Sequence, residues 1–205
     1  MNKVNYQKEL DRVIERNLRS GTVPKLLLHV CCAPCSSYCL EYLTAYFDIT
    51  VFFYNPNISP KEEYAYRLAE EKRFLASKEL PRPVQLIAGD YRPEEFFEAV
   101  KGLEQEPEGG LRCEKCFRLR LEESARAAKA HGFDCFTTTL TISPLKNADL
   151  LNAIGMEMGE RYGVPWLCSD FKKREGYKRS IELSREFDLY RQNYCGCVFS
   201  RRGQA

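Results

Sequence analysis

The sequence predicts an α/β protein with a doubly wound parallel sheet, and three observations support that fold class. Short apolar runs of strand type alternate with longer segments of helical periodicity along the 205 residues, which is the pattern of repeated βαβ units. The first run, KLLLHV at 25–30, is typical of a buried strand. The length suits one well-packed domain. We therefore predict a single domain over 1–205, with a basic C-terminal segment at 165–205.

The predicted elements follow one another in a regular order. Helical periodicity over 3–19 ends at Ser20-Gly21, a helix C-terminal signal. Ser59 is a good helix N-cap residue, and Pro60 fits the first helical position after it. Strands are predicted at 25–30, 48–55, 84–89 and 133–140, with a short fifth strand in VPWLCS at 164–169. The later helices are predicted at 36–47, 60–80, 92–102, 113–131, 147–162 and 178–190.

Composition restricts the classes of protein that the chain can belong to. Hydrophobic residues make up 44% and charged residues 29%, as in soluble globular proteins. No apolar run approaches the ~20 residues of a membrane span, and the charged amphipathic N-terminus does not resemble a signal peptide. We therefore expect a cytoplasmic protein without a membrane partner. Ten cysteines in that compartment indicate metal binding or redox chemistry rather than structural disulfides.

Seven of the cysteines fall into three clusters, and the first cluster directly follows the first strand. In doubly wound sheets, ligands bind beyond the carboxyl ends of the strands, so we expect this cluster in the ligand crevice. Three further cysteines stand alone among apolar residues, and we expect them to pack in the core. The clusters are Cys31, Cys32 and Cys35 in CCAPC, Cys113 and Cys116 in RCEKC, and Cys195 and Cys197 in YCGC; the others are Cys39, Cys135 and Cys168.

The first two clusters have the chemistry of metal ligands. Cys31 and Cys32 are adjacent, and their ~3.8 Å Cα separation is too short for an ordinary disulfide. Cys113 and Cys116 begin a predicted helix, where thiol pKa values fall and thiolates form readily. These four thiolates would suffice for a [4Fe–4S] cluster or one zinc ion. A zinc site that uses Cys32 and Cys35 stays open, but it leaves Cys31 without a role, and we favour iron–sulfur.

The third cluster has redox character. Cys195-Gly196-Cys197 can close a small, strained disulfide, because glycine tolerates the dihedral angles that closure demands. Strained disulfides tend to be labile or catalytic. We predict that this pair accepts or supplies two electrons, with a role as two further metal ligands as the alternative.

Charge is distributed unevenly although the net charge is only +2. From Pro165 to the end there are nine Lys and Arg against five Asp and Glu, and KKREGYKR at 172–179 carries most of the excess. A basic segment with aromatic residues suits a nucleic-acid backbone. A solvated helix face is the alternative.

Two phosphate-binding motifs are missing. The chain contains neither G-x-x-x-x-G-K-[ST] nor G-x-G-x-x-G, and the loop after the first strand has no glycine. Nucleotide α-hydrolases of the PP-loop kind place a glycine-rich pyrophosphate loop there. CCAPCS at 31–36 resembles a replacement of those glycines by metal-binding cysteines on a similar scaffold. We therefore expect that the protein does not use ATP.

With these residues assembled, the chain resembles the cobalamin-independent epoxyqueuosine reductases. The resemblance implies reduction of the epoxide of epoxyqueuosine at the tRNA wobble position to queuosine, which consumes two electrons and two protons and needs an external electron donor. It covers nearly the whole chain. The matching segments are LHVCCAPCS at 28–36, YNPNISPKEEYAYR at 54–67, RCEKCFRLRLEESA at 112–125, FTTTLTISPLKN at 136–147 and LYRQNYCGCVFS at 189–200.

The resemblance also implies roles for the clustered cysteines. Carried over, a [4Fe–4S] cluster would be bound by Cys31, Cys32, Cys113 and Cys116, and a redox-active pair would be formed by Cys195 and Cys197. Cys35 receives no role in this way. A second iron, acting as a Lewis acid on the epoxide oxygen, is a further hypothesis. Its candidate ligands are Cys35, Cys195, Cys197 and either Asp134 or Asp170.

A tRNA anticodon loop offers unstacked bases and phosphates to the protein. Arg191, Gln192, Asn193 and Tyr194 adjoin the CGC pair, and we expect them to position the modified base. Two other functions stay open: a zinc-stabilised RNA-binding module without catalysis, and a PP-loop-like tRNA sulfur transferase. The candidate phosphate contacts are Lys172, Lys173, Arg174, Lys178, Arg179, Arg201 and Arg202.

Overall fold

A parallel sheet forms the centre of the computed structural model, which describes residues 4–201 without the side chain of Arg201. Its order is β3-β2-β1-β4, and each neighbouring pair of strands is parallel. The strands are β1 (Lys25–His29), β2 (Asp48–Phe53), β3 (Gln85–Ala88) and β4 (Cys135–Thr138).

Helices connect the strands and cover both faces of the sheet. They are α1 (Tyr6–Ser20), α2 (Ala33–Leu43), α3 (Lys61–Ser77), α4 (Pro93–Ala99), α5 (Leu111–Ala130), α6 (Ala148–Tyr162) and α7 (Gly176–Glu186). Two 3₁₀ turns lie at Thr139–Ile142 and Val198–Arg201. Within residues 4–201, no helix combines the length and apolarity needed to cross a membrane.

The apolar residues of β1 show why the sheet is covered on both sides. Leu26 and Leu28 belong to a core with residues of α1, α2 and α3, whereas Leu27 belongs to a second core with residues of α5 and α6. Successive side chains of a strand point to opposite faces, so an unbroken apolar run needs helices on both. The predicted doubly wound α/β fold is confirmed, while the likeness to the PP-loop scaffold stays a prediction.

Strand order reverses between β1 and β4, because the chain builds β1, β2 and β3 outward and then returns to place β4 on the free side of β1. This reversal is the switch point at which doubly wound sheets bind ligands. The segments that follow His29 and Thr138 therefore flank the crevice, and CCAPC is one of them.

Two local predictions were wrong. VPWLCS is not a strand: Phe136 and Trp166 form a single parallel bridge, and Pro165 has no N–H to extend the ladder. Ser59 is not the cap of α3, which begins at Lys61 after Pro60. The Ser59 backbone N–H instead donates to the Gly196 carbonyl over 2.9 Å, so a contact distant in sequence sets the conformation here.

Candidate metal and redox site

The first cysteine cluster is positioned by the junction of β1 and α2. Cys32 is the extended residue before α2, and its carbonyl accepts from the N–H groups of Cys35 and Ser36, each over 3.1 Å. The Sγ atoms of Cys31, Cys32 and Cys35 consequently lie within 4.8 Å of one another. Over residues 4–201, no other set of three potential metal-ligand side chains is that close together.

The second cluster lies in the first turns of α5, as predicted. Cys113 and Cys116 are three residues apart, so a helical geometry brings them to one face. The Gly109 N–H donates to Cys113 Sγ over 3.2 Å. On the other side, Arg120 Nη1 is 4.0 Å from Cys116 Sγ.

The third cluster belongs to a C-terminal segment without regular structure, and tertiary contacts hold it. Arg67 Nη1 donates to the Cys195 carbonyl over 3.5 Å, in addition to the bond from Ser59 to Gly196. Gly196 has φ +101°, and a Cβ atom there would come within 3.0 Å of Ile58 Cγ1 and 3.1 Å of Arg67 Nη1. Only glycine fits this turn without strain. Both thiols of the segment are free rather than bonded to each other.

Two adjoining cavities bring the three clusters together. The larger cavity, of ≈ 380 Å³, is lined by Cys31, Cys35 and Cys195. The smaller cavity, of ≈ 80 Å³, is lined by Cys113, Cys116, Cys195 and Cys197. Cys195 and Lys146 line both, and Cys32 Sγ lies 3.7 Å from Cys31 Sγ. All seven clustered cysteines thus gather at the crevice, whereas Cys39 and Cys135 are buried in the core as expected and Cys168 is half-buried.

A buried guanidinium lies among the thiols. Arg120, which is 1% exposed, donates to Asn55 Oδ1 over 2.7 Å, and Asn55 Nδ2 in turn donates to the Val30 carbonyl over 2.8 Å. These bonds hold a positive charge between Cys116 and the first cluster. Positive charge stabilises thiolates and their complexes with metals.

The three thiols of the first cluster differ in pKa. Hydrogen bonds from Cys32 and Cys35, helped by the charges of Arg120 and Lys146, hold the pKa of Cys31 well below its usual range although burial opposes this. The hydrogen bond with Cys31 and burial raise the pKa of Cys32 to about 12, although the bond with Cys35 acts in the opposite direction. The bonds with Cys31 and Cys32, together with burial, raise the pKa of Cys35 well above its ordinary value. Of the three thiols, Cys31 therefore loses its proton most readily, and a cation bound here requires each of its thiol ligands to be deprotonated.

Burial outweighs the helix dipole at the second cluster. Desolvation raises the pKa of Cys116 to about 12, despite the nearby Arg120, and also raises that of Cys113. The expectation that the helix N-terminus lowers these pKa values was wrong, because the cavity removes the thiolates from water. A cation in the cavity would reverse this balance.

The structure separates both candidate carboxylates from the cysteine cavities. Asp134 precedes β4 at the amino end of the sheet, where its Oδ2 accepts from the Lys25 N–H over 2.8 Å. The thiols lie at the carboxyl end, so the strand length separates Asp134 from them. Asp170 pairs with Lys172 over 2.8 Å and lines a third cavity, of ≈ 380 Å³, which adjoins the others at Lys146.

The segment before the CGC pair does reach the larger cavity: Arg191, Gln192, Asn193 and Tyr194 all line it. Arg191 Nη1 donates to Ser184 Oγ over 3.1 Å. Gln192 Oε1 is buried and has no hydrogen-bond partner within residues 4–201. The Tyr194 ring lies 5.3 Å from the Arg67 guanidinium. This segment therefore offers donors, acceptors and an aromatic ring beside the thiols.

The basic segment 172–179 is mostly neutralised by internal ion pairs, which connect α7 and its preceding turn to α1 and α2. Lys173 is exposed and has no carboxylate partner in the described part of the chain. Arg202 and the Arg201 side chain lie outside the described residues. The pairs are Lys172 with Asp170 (2.8 Å), Arg174 with Asp11 (2.7 Å), Lys178 with Glu175 (3.5 Å) and Arg179 with Glu41 (2.8 Å).

Sequence reasoning missed three cations of the site: Arg67, Arg120 and Lys146. Each lies in one of the segments that carry the family resemblance, at 54–67, 112–125 and 136–147. Nothing in their local pattern distinguishes them from surface Arg and Lys residues, because their burial depends on how distant segments pack.

A doubly wound α/β fold with seven thiols at its switch point is typical of proteins that bind a metal through thiolates or carry out redox chemistry. A profile of "Epoxyqueuosine reductase QueH" matches residues 26–203. Proteins of that name from Staphylococcus epidermidis and Streptococcus pyogenes are 48% and 45% identical to this chain, each over 98% of it and over 87% and 80% of their own lengths. The Thermotoga maritima protein of that name is 42% identical over 88% of this chain and 90% of its own. The chain belongs to the epoxyqueuosine reductase QueH family.

Proposed function

We propose that this chain is a cytoplasmic iron–sulfur oxidoreductase that reduces epoxyqueuosine to queuosine in tRNA. One observation carries the proposal: in a member of the QueH family, three cysteine clusters distant in sequence line two adjoining cavities at the switch point of the sheet. Family membership favours this reading over the zinc-stabilised RNA-binding module and over the PP-loop sulfur transferase.

The donor set fits an iron–sulfur cluster. Iron–sulfur clusters are bound by thiolates, and seven thiols meet here with a buried Arg120 that offsets negative charge. Cys31, Cys32, Cys113 and Cys116 would hold a [4Fe–4S] cluster. The proximity of Cys35 to the first two makes it the alternative to one of these ligands. When bound, the cluster supplies electrons singly from an external donor.

The CGC pair would match the electron and proton count of the reaction. Oxidation of the Cys195 and Cys197 thiols to a disulfide releases two electrons and two protons. Removal of the epoxide oxygen as water, with formation of the ring alkene, consumes the same number. The external donor would then reduce the disulfide again. Gly196 permits this closure because glycine adopts dihedral angles that other residues avoid.

A second iron would have fewer candidate ligands than the sequence alone suggests. Cys35 and Cys195 line the same cavity, so they are the best-placed candidates to ligate it, with Cys197 nearby in the smaller cavity. Asp170 lines the adjoining third cavity and is engaged by Lys172. Asp134 lies at the opposite end of the sheet and is no longer favoured.

The larger cavity suits the modified ring of the substrate. Its volume of ≈ 380 Å³ lies within the usual range of small-ligand pockets. Arg191, Gln192, Asn193 and Tyr194 would contact the modified base, and the unpartnered Gln192 Oε1 is an acceptor available to a ring hydroxyl. These four residues and the CGC pair share one segment, so base positioning and redox chemistry would be coupled in space.

The test begins with protein purified without oxygen. We expect visible absorption of an iron–sulfur protein and about four irons and four sulfides per chain. An epoxyqueuosine-containing anticodon stem-loop with a strong reductant should lose the mass of one oxygen atom. The C31S variant should lose both signals, and C168S, outside the clusters, should keep them. A colourless protein with one zinc and no labile sulfide would contradict the proposal and favour the RNA-binding module.

A further inference from the structure

We infer that the RNA strand binds along a short row formed by Arg191, Lys146 and Lys173, with the ring of Tyr177 as a stacking surface, rather than along the whole basic segment 172–179. This inference rests on the proposed function, because it names the surface that would hold the tRNA substrate. It differs from the sequence-based expectation, which treats every cation of the segment alike.

The cavities give the row its continuity. Arg191 and Tyr177 line the larger cavity, Lys173 lines the third cavity, and Lys146 lines both of them. The row therefore runs from the segment that precedes the CGC pair, past the thiols, to the amino end of α6. A nucleotide placed in the larger cavity would have its neighbours on either side of Lys146.

Charge compensation separates this row from the other cations. Within residues 4–201, none of Arg191, Lys146 and Lys173 has an ion pair with a carboxylate. Arg191 and Lys173 are therefore free to take a phosphate as their counterion, which would release condensed ions from the RNA. Lys146 also acts on the Cys31, Cys35 and Cys195 thiols, so its charge would be shared between them and a phosphate. The cations of 172–179 other than Lys173 already face carboxylates, whose charge cancels much of their attraction for phosphate.

Tyr177 adds a contact that does not depend on phosphate. It is the second residue of α7, is 38% exposed and lines the larger cavity. The Arg191 guanidinium lies 5.8 Å from the centre of its ring. An exposed ring beside a guanidinium is the usual platform for an unpaired base in single-stranded RNA recognition.

The experiment measures binding of a fluorescently labelled, unmodified anticodon stem-loop RNA to the anaerobically purified protein over a range of salt concentrations. K146Q and K173Q should each weaken binding and reduce the slope of log affinity against log salt by about 0.7, the value for one phosphate on a single strand. Y177L should weaken binding about tenfold without changing the slope.

The matched control is R19Q. Arg19 is 83% exposed in its side chain, pairs with Glu15 over 3.6 Å, and lies at the end of α1 remote from all three cavities. We expect wild-type affinity and slope for it. Because K146Q alters a residue beside the thiols, its visible spectrum must match the wild type, and the exposed K173Q carries the test independently.

Three outcomes would be decisive. Losses in K146Q, K173Q and Y177L of the kinds stated, with small changes in R174Q and K178Q, support the inference. If R174Q and K178Q reduce the slope as much as K173Q, or if the row variants behave like R19Q while the wild type still reduces the epoxide, the inference is wrong and the proposed function stands. If the wild type neither binds the RNA nor reduces the epoxide, the proposed function itself fails.

Discussion

The CCAPC cluster and the CGC segment carry the same chemical group but are held in different ways. Cys31, Cys32 and Cys35 lie where a buried strand meets the first turn of a helix, and backbone hydrogen bonds within four residues set their spacing. Cys195 and Cys197 lie outside helices and strands, apart from the 3₁₀ turn that follows, and depend on Arg67 and Ser59 more than a hundred residues away. Local geometry therefore determines the CCAPC cluster, whereas tertiary contacts determine the position of the CGC pair.

The largest expected effect comes from removing a thiol of the CCAPC cluster. C31A should abolish iron incorporation and epoxide reduction together, because Cys31 is one of the four proposed cluster ligands and its Sγ lies within 4.8 Å of those of Cys32 and Cys35. Metal analysis, visible spectroscopy and turnover measure this. C168A, outside the clusters, is the control. An unchanged iron content in C31A would exclude Cys31 as a ligand.

The second-largest effect is expected from R67M, which removes the side chain that holds the CGC segment through the Cys195 carbonyl. Arg67 is 1% exposed and its guanidinium lies 2.7 Å from Glu63 Oε1. Removing one partner of a buried pair costs about 3–5 kcal/mol of unfolding free energy. Urea unfolding measures that cost, and trypsin should cleave the C-terminal segment faster. We also expect kcat to fall while the iron content is retained.

R67K tests whether a positive charge at position 67 is enough to hold the CGC segment in place. It keeps the charge but loses the fork that reaches both Glu63 and the Cys195 carbonyl. It should restore stability in part and turnover less. Full turnover in R67K, or proteolysis equal to wild type in R67M, would show that the CGC segment does not depend on this side chain.

G196A should have a smaller effect that is confined to the segment. At φ +101° and with two atoms within 3.1 Å of the added Cβ, alanine should cost about 1–2 kcal/mol or more. We expect slower turnover, with the visible spectrum unchanged. Gly102, with φ +80° and no neighbour within 4 Å of an added Cβ, provides the control G102A, which has the backbone strain without the contacts. Equal turnover in the two variants would contradict a role for close packing at Gly196.

Over a single pH unit, the smallest change in unfolding free energy should come from Glu71, which lies behind the CCAPC cluster. Burial raises its pKa to about 8, although Ser36 Oγ donates to its Oε2 over 2.8 Å. The folded protein thus keeps a proton that the unfolded chain releases near its ordinary pKa. Stability should therefore fall as pH rises from about 5 to 8, by up to about 1.4 kcal/mol per pH unit.

E71Q keeps the shape and the bond to Ser36 but cannot ionise. Urea unfolding of both proteins at several pH values should show the difference between them growing toward pH 8. Parallel pH profiles would contradict a buried, protonated Glu71.

Particular residues show how far the sequence alone could lead. The unbroken apolar run of β1 requires cover on both faces, and its position before CCAPC places thiols at the carboxyl end of a parallel strand. The three-residue spacing of Cys113 and Cys116 likewise needs only a helix. These features depend on periodicity and on neighbours close in sequence, so the sequence by itself determined the fold class, the crevice and two of the three cysteine clusters.

Tertiary structure decided the features that depend on distant partners. Pro60 rather than Ser59 occupies the N-cap position of α3, and the Ser59 backbone N–H bonds to the distant Gly196 carbonyl. Arg174 and Arg179 are paired with Asp11 and Glu41 rather than left for phosphate. Burial raised the thiol pKa values that a helix terminus alone would lower. Charge partners and desolvation are sums over all neighbours in space, and a linear pattern of residues does not contain those sums.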